Sequence, residues 1–226
     1  MIGTDPDPKG PTMNTTIRDL QETAASPSTP SRRSLVAMAS VVLVAYIAMF
    51  ATGTDFQYDA GMTEIRAAYD GSQGASQLSA YAGMAFVALL LFFGAALRNA
   101  LRATRRTWLA DVPFIGFAAL GATIASWAVT DIALWKAVEF GDESTIRTLV
   151  TISDAGFLPL MAAMIAIYVG TGLVGMTTGA VPKWLAIASI IIGVLAPLGP
   201  LGFVGALLLP LWVLAVAICV RLDDAS

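Results

Sequence analysis

The sequence predicts an all-α, polytopic transmembrane bundle of about six spans, and three observations carry that expectation. Apolar residues make up 57% of the 226-residue chain and charged residues only 13%, against about 45–50% and about 25% in soluble domains. The mean hydropathy is +0.73. The apolar residues lie in long blocks instead of recurring at the spacing of a half-buried helix or strand, so the excess must face lipid.

Residues 1–33 are rich in Pro, Thr, Ser and Asp without a sustained apolar period. Such a segment cannot bury enough surface to offset chain entropy, and it is expected to be a disordered tail. Met13 offers a second start within it. Ser31-Arg32-Arg33-Ser34-Leu35 resembles a twin-arginine export signal. The long block that follows has no clear small-residue cleavage site and is more simply an uncleaved first span.

Residues 34–221 form the expected six-span domain, with spans near 35–52, 78–97, 112–135, 157–176, 184–198 and 202–220. A span needs roughly 18 to 20 residues to cross about 30 Å of hydrocarbon. The fifth block is short and runs into Pro197-Leu198-Gly199-Pro200, which breaks a helix and turns the chain. Two arrangements stay open there: a tight hairpin of two full spans, or a re-entrant segment before a single span. Asp111 is expected to cap the third span, and Ser153 or Asp154 the fourth. Ala118, Ala122 and Ser126 recur every fourth residue, as do Ala162, Ala166 and Gly170, which predicts close helix packing.

Lys and Arg near the span ends set the orientation. Arg18, Arg32, Arg33, Arg98, Arg102, Arg105, Arg106, Lys183 and Arg221 fall on one side, with only Arg66, Lys136 and Arg147 on the other. The arginine-rich side is expected to be cytoplasmic, together with both termini of a multi-pass protein of the cell membrane.

Ala95-Ala96-Leu97-Arg98-Asn99-Ala100-Leu101-Arg102, Phe157-Leu158-Pro159, Gly179-Ala180-Val181-Pro182-Lys183-Trp184-Leu185 and Leu211-Trp212-Val213 form a recognisable pattern. It resembles the small six-helix membrane proteins of unknown function abundant in actinobacteria, over roughly residues 61–220. The resemblance implies architecture and a bacterial cell membrane. It carries over no activity and no catalytic residue.

Histidine is absent and Cys219 is the single cysteine. This removes the usual haem and zinc ligands, the imidazole base of serine or cysteine hydrolases and any intrachain disulfide, so no cofactor is expected. A formal net charge of −3 gives no footprint for nucleic acid. Asp55, Asp59 and Glu64 could gather a hard cation but lack calcium-loop spacing.

Arg98, Arg102, Arg105 and Arg106, followed by Trp108, suit either an anionic-lipid contact or a topology anchor. Between the first two spans, Met62, Ile65 and Tyr69 at helical spacing predict a short amphipathic helix resting on the outer surface. Asp131 and Asp154 fall at the outer ends of the third and fourth spans, and Trp127 and Trp135 flank Asp131 at i−4 and i+4, with Lys136 nearby. One reading is an outward-opening polar pocket with aromatic walls for a cationic or polar ligand. The plainer one pairs Asp131 with Lys136 or water, makes Asp154 a cap and assigns Trp135 to the aromatic belt.

No block carries an ionisable residue near its centre, which weighs against ion-coupled transport. The leading expectation is therefore a non-enzymatic membrane protein that binds a lipid, anionic lipids among them, or a membrane partner protein. Its rivals are a small-molecule transporter or permease subunit and an intramembrane enzyme acting on lipid.

Overall fold

Long uninterrupted apolar segments must satisfy their backbone polar groups internally, and helices are the local solution. The structure, a computed structural model, describes residues 31–52, 59–70, 73–104 and 108–222. The expected tail, apart from residues 31–33, lies outside the described residues, as do Arg18, Asp55, Arg105 and Arg106.

The described helices are α1 (Arg32–Thr52), α2 (Met62–Tyr69), α3 (Gln73–Thr104), α4 (Asp111–Phe140), α5 (Glu143–Ala155), α6 (Phe157–Thr178), α7 (Lys183–Leu195) and α8 (Pro200–Cys219). A 3₁₀ turn, Trp108–Ala110, leads into α4, and no strand occurs among the described residues. Five stretches are long and apolar enough to cross a membrane: those of α1, α3, α4, α5 with α6, and α8. The chain is thus a multi-pass membrane protein by architecture. Because α1 opens at Arg32, the expected tail boundary at residue 33 moves back slightly.

Neighbouring helices pack as α8–α1–α3–α4–α6–α7, with a lighter contact from α7 to α8. One end carries the arginines. There Arg32 Nη2 donates to the Val220 carbonyl at 3.4 Å, and the Arg221 N–H donates to the Ala180 carbonyl at 2.7 Å. The first and last spans therefore meet at one end of the bundle.

The fifth block resolves into a hairpin with a short arm. Helix α7 is only 13 residues, about 20 Å at 1.5 Å per residue. It runs antiparallel to α6: Gly175 lies against Val181, Gly172 against Ala186 and Ile190, and Gly193 against Tyr168 and Val169. The first turn of α8 begins beside the start of α6, with Gly202 against Met161. Entry to the hairpin needs Gly179, whose φ of +73° ends α6 in a left-handed cap with its N–H on the Gly175 carbonyl.

Pro210 stands inside α8 and supplies no N–H to the Ala206 carbonyl four residues back. Tyr46 of α1 donates its hydroxyl to that carbonyl at 3.1 Å, and Tyr168 of α6 donates to the neighbouring Gly205 carbonyl at 2.9 Å. Trp212 packs edge-on against Tyr168 and donates to Ser189 Oγ at 2.8 Å, tying α8 to α6 and α7.

Two apolar clusters form. The larger fills the bundle and is centred on Phe86, Phe93, Phe117, Ile167, Tyr168 and Val213. The smaller joins α2, α4 and α5 through Ile65, Tyr69, Leu134, Ala137, Ile146 and Val150. Helix α2 is as expected, but its apolar face packs on α4 and α5 instead of on the membrane surface. Arg66 and Arg147 fasten this layer by donating to the Val138 and Ala60 carbonyls at 3.2 and 3.0 Å.

Helix packing follows glycines other than the expected stripe. Ala118, Ala122 and Ser126 are exposed on the outer side of α4. A Cβ on Gly94 would meet Phe117 Cδ2 at 2.9 Å, and one on Gly116 would meet the Ile167 backbone nitrogen at 2.8 Å. The expected 162–166–170 stripe contributes mainly through Gly170, buried against Val112 and Pro113.

Candidate functional site

Helix α4 spans 30 residues and carries an aspartate near each end of the bundle. Asp111, its first residue, makes no capping bond. Arg98 Nε donates to its Oδ1 at 2.6 Å, and Arg102 Nη2 to its Oδ2. The Arg98 guanidinium also lies 5.5 Å from the Phe114 ring centroid. Two of the arginines considered for anionic lipid are thus paired with one carboxylate, leaving a single net positive charge among the three.

Asp131 lies 20 residues further on, about 30 Å along the helix axis. Its Oδ1 accepts the Tyr69 hydroxyl at 2.7 Å, and no described residue donates to Oδ2. Lys136 is exposed and forms no ion pair with it among the described residues. Burial, then the bond to Asp131 and its charge, raise the Tyr69 pKa, so Tyr69 is a fixed hydroxyl donor across neutral pH.

Asp131 and Trp127 line a cavity of about 460 Å³ at this end. Its walls come from Met49 and Phe50 of α1, Ser79 and Gly83 of α3, and Phe203 and Leu207 of α8, with Ser153 of α5 and Tyr69 of α2 at the capped side. The indole is held rigidly, since Trp127 Nε1 donates to the Ser153 carbonyl at 2.9 Å. That carbonyl also accepts the Gly156 N–H at 3.2 Å, which separates α5 from α6. Gly156 is required there, because a Cβ would collide with Trp127 Nε1.

A second hollow of about 460 Å³ lies on the other side of Tyr69, lined by Arg66, Asp70, Trp135 and Glu139 among others. Tyr69 borders both spaces. Of the residues expected to form one pocket, Trp127 and Asp131 line the first cavity, and Trp135 lines the second. Lys136 and Asp154 are exposed and line neither.

The expected caps are corrected too. Asp154 lies near the C-terminus of α5, and α6 begins at Phe157, after Gly156, without a side-chain cap. One side chain that does cap a helix is Asp142: its Oδ1 accepts the Thr145 N–H at 2.8 Å and opens α5. Bonds from Thr145, then Ser144, hold its carboxyl below the usual range. Helix α5 falls where an outer loop was expected. Its signal was Ile146, Leu149 and Val150 at i, i+3 and i+4 after a good N-cap residue. Tyr69 as the partner of Asp131, and the walls from α1 and α8, had no sequence signal.

Compared with known proteins, the chain matches no family model, no curated sequence and no solved structure.

Proposed function

We propose that this protein is a non-enzymatic membrane protein that holds an amphiphilic molecule in the capped-end cavity. The observation that carries this is the makeup of the space. It is about 460 Å³, within the roughly 300–1,000 Å³ typical of ligand pockets. Its walls are mostly apolar, with one carboxylate at their polar side. Phe50, Phe203 and Leu207 line it and are also 50%, 50% and 41% exposed on the outer surface of the bundle. An apolar tail therefore has a lateral way in from lipid, while the polar end meets Asp131.

The absence of catalysis is part of the proposal. The wall hydroxyls of Ser79 and Thr130 donate to the Met49 and Ser126 carbonyls, and the chain has no histidine to serve as a base. The resemblance to the actinobacterial six-helix proteins is what supports a bacterial cell membrane, and the arginine-rich end supports a cytoplasmic placement of both termini. To test the reading, purified protein in nanodiscs is exposed to an alkyl diazirine, and its adducts are mapped by mass spectrometry. Adducts concentrated on Met49, Phe203 and Leu207, and lost in Ala128→Phe, are expected. Labelling spread evenly over the lipid-facing surface and unchanged by Ala128→Phe refutes the reading.

One observation favours a second reading, a permease: Tyr69 lines both spaces. Solute flux in reconstituted vesicles that rises in Tyr69→Ala would support it.

A further inference from the structure

Resting on that reading, we infer that the ligand is an amphiphilic amine, bound as its ammonium form with the nitrogen on the unengaged Oδ2 of Asp131. The argument counts donors. Around the cavity the Tyr69 hydroxyl is committed to Asp131 Oδ1 at 2.7 Å and the Trp127 N–H to the Ser153 carbonyl at 2.9 Å. Ser79 Oγ is on the Met49 carbonyl at 3.4 Å, and Thr130 Oγ1 on the Ser126 carbonyl at 2.9 Å. An anionic head group entering here would find a carboxylate and no free side-chain donor among these wall residues. A head group that donates and carries positive charge completes the site.

Tyr69 narrows the choice of cation. With one lone pair of Oδ1 occupied by Tyr69, Oδ2 is the less engaged oxygen, which suits an ammonium as a point donor and disfavours the symmetrical two-pronged approach of a guanidinium. The fixed Trp127 ring beside it adds an electron-rich face and an apolar wall. The apolar remainder of the ligand then lies toward Met49, Phe203 and Leu207.

Soluble probes of matched chain length test this: hexylammonium, hexanol and hexanoate, titrated calorimetrically into the full protein in nanodiscs, with empty nanodiscs subtracted. Hexylammonium should bind tightest, hexanol about tenfold more weakly and hexanoate not measurably, the margin expected of a charged hydrogen bond. Asp131→Asn keeps the Tyr69 acceptor and should weaken hexylammonium about tenfold while leaving hexanol within about twofold. Tyr69→Phe frees Oδ1, so hexylguanidinium should gain on hexylammonium, a test that does not depend on Asp131→Asn folding.

If hexanol or hexanoate binds as tightly as hexylammonium, with all binding lost in Ala128→Phe, the amine assignment is overturned and the cavity reading survives. If no probe binds, the cavity reading falls with it. Hexylammonium binding unchanged in Asp131→Asn also overturns the assignment.

Discussion

The two ends of α4 treat a carboxylate in opposite ways. Asp111 is met by two guanidinium groups, Arg98 and Arg102, in a region where Leu97, Leu101, Ala110 and Phe93 are fully buried. Asp131 is met by one phenol and borders an open space of about 460 Å³. At the arginine end the carboxylate is fully paired and the packing is filled. The capped end carries an uncompensated charge beside a hollow. An arrangement that leaves a carboxylate with less than it needs lowers stability, and such sites are where proteins exchange stability for binding.

The largest effect should come from testing the packing contrast. Phe93 is fully buried and meets Phe117 edge-on at 5.9 Å, so Phe93→Ala should cost on the order of 3 kcal/mol. Phe50→Ala at the hollow end should cost less than about 1 kcal/mol. Thermal unfolding of both variants in one detergent would measure the difference. Equal losses would mean that the two ends are equally well packed.

The electrostatic contrast predicts opposite signs for one substitution. Asp111→Asn leaves Arg98 and Arg102 unpaired and should lower the melting temperature, with the gap narrowing as salt is added. Asp131→Asn removes a charge with no cationic partner among the described residues, yet leaves an oxygen for Tyr69. It should leave the melting temperature unchanged or raise it. A drop at Asp131 as large as that at Asp111 would break the comparison.

Tyr69→Phe is expected to cost about 1 kcal/mol, one net hydrogen bond, and to increase hydrogen exchange in α2. The smallest effect belongs to the cap of α5. Because bonding depresses the Asp142 carboxyl, its contribution is present above its unfolded pKa and fades as pH falls through the lower, folded value. Protection factors over residues 143–147, corrected for the intrinsic slowing of amide exchange in acid, should therefore fall as pH is lowered, and Asp142→Ala should abolish that pH dependence.

The spans were readable because a 30 Å apolar slab imposes a length and composition that few other structures share. Boundaries at 35, 112, 157, 184 and 202 fall within three residues of the helix starts at Arg32, Asp111, Phe157, Lys183 and Pro200. The start of α3 at Gln73 does not fit so well, because its first turns are polar and extend beyond the apolar block. Helix α5 was hidden for the same reason: its apolar side is only one stripe wide. At the site, Trp127 and Asp131 stood out as an aromatic and a charge on one helix face. Asp154 misled because its depth was inferred from a direct loop-to-span step, whereas Gly156 divides that segment into two helices. The cavity walls were illegible, since Met49, Phe203 and Leu207 have the same apolar character as residues facing lipid. Only tertiary packing tells them apart.

The proline in α8 bears on how the chain is assembled in its membrane. A carbonyl without a partner in hydrocarbon costs several kcal/mol, and the Ala206 carbonyl has none within its own helix. Its donor, Tyr46, belongs to the first span, and the donor to Gly205, Tyr168, belongs to α6. Both are synthesised before α8. Helix α8, made after both, thus meets hydroxyls already waiting at bilayer depth. A circular permutant that makes α8 first would have to insert it with the Ala206 carbonyl bare, and its integration should become the slow step of biogenesis.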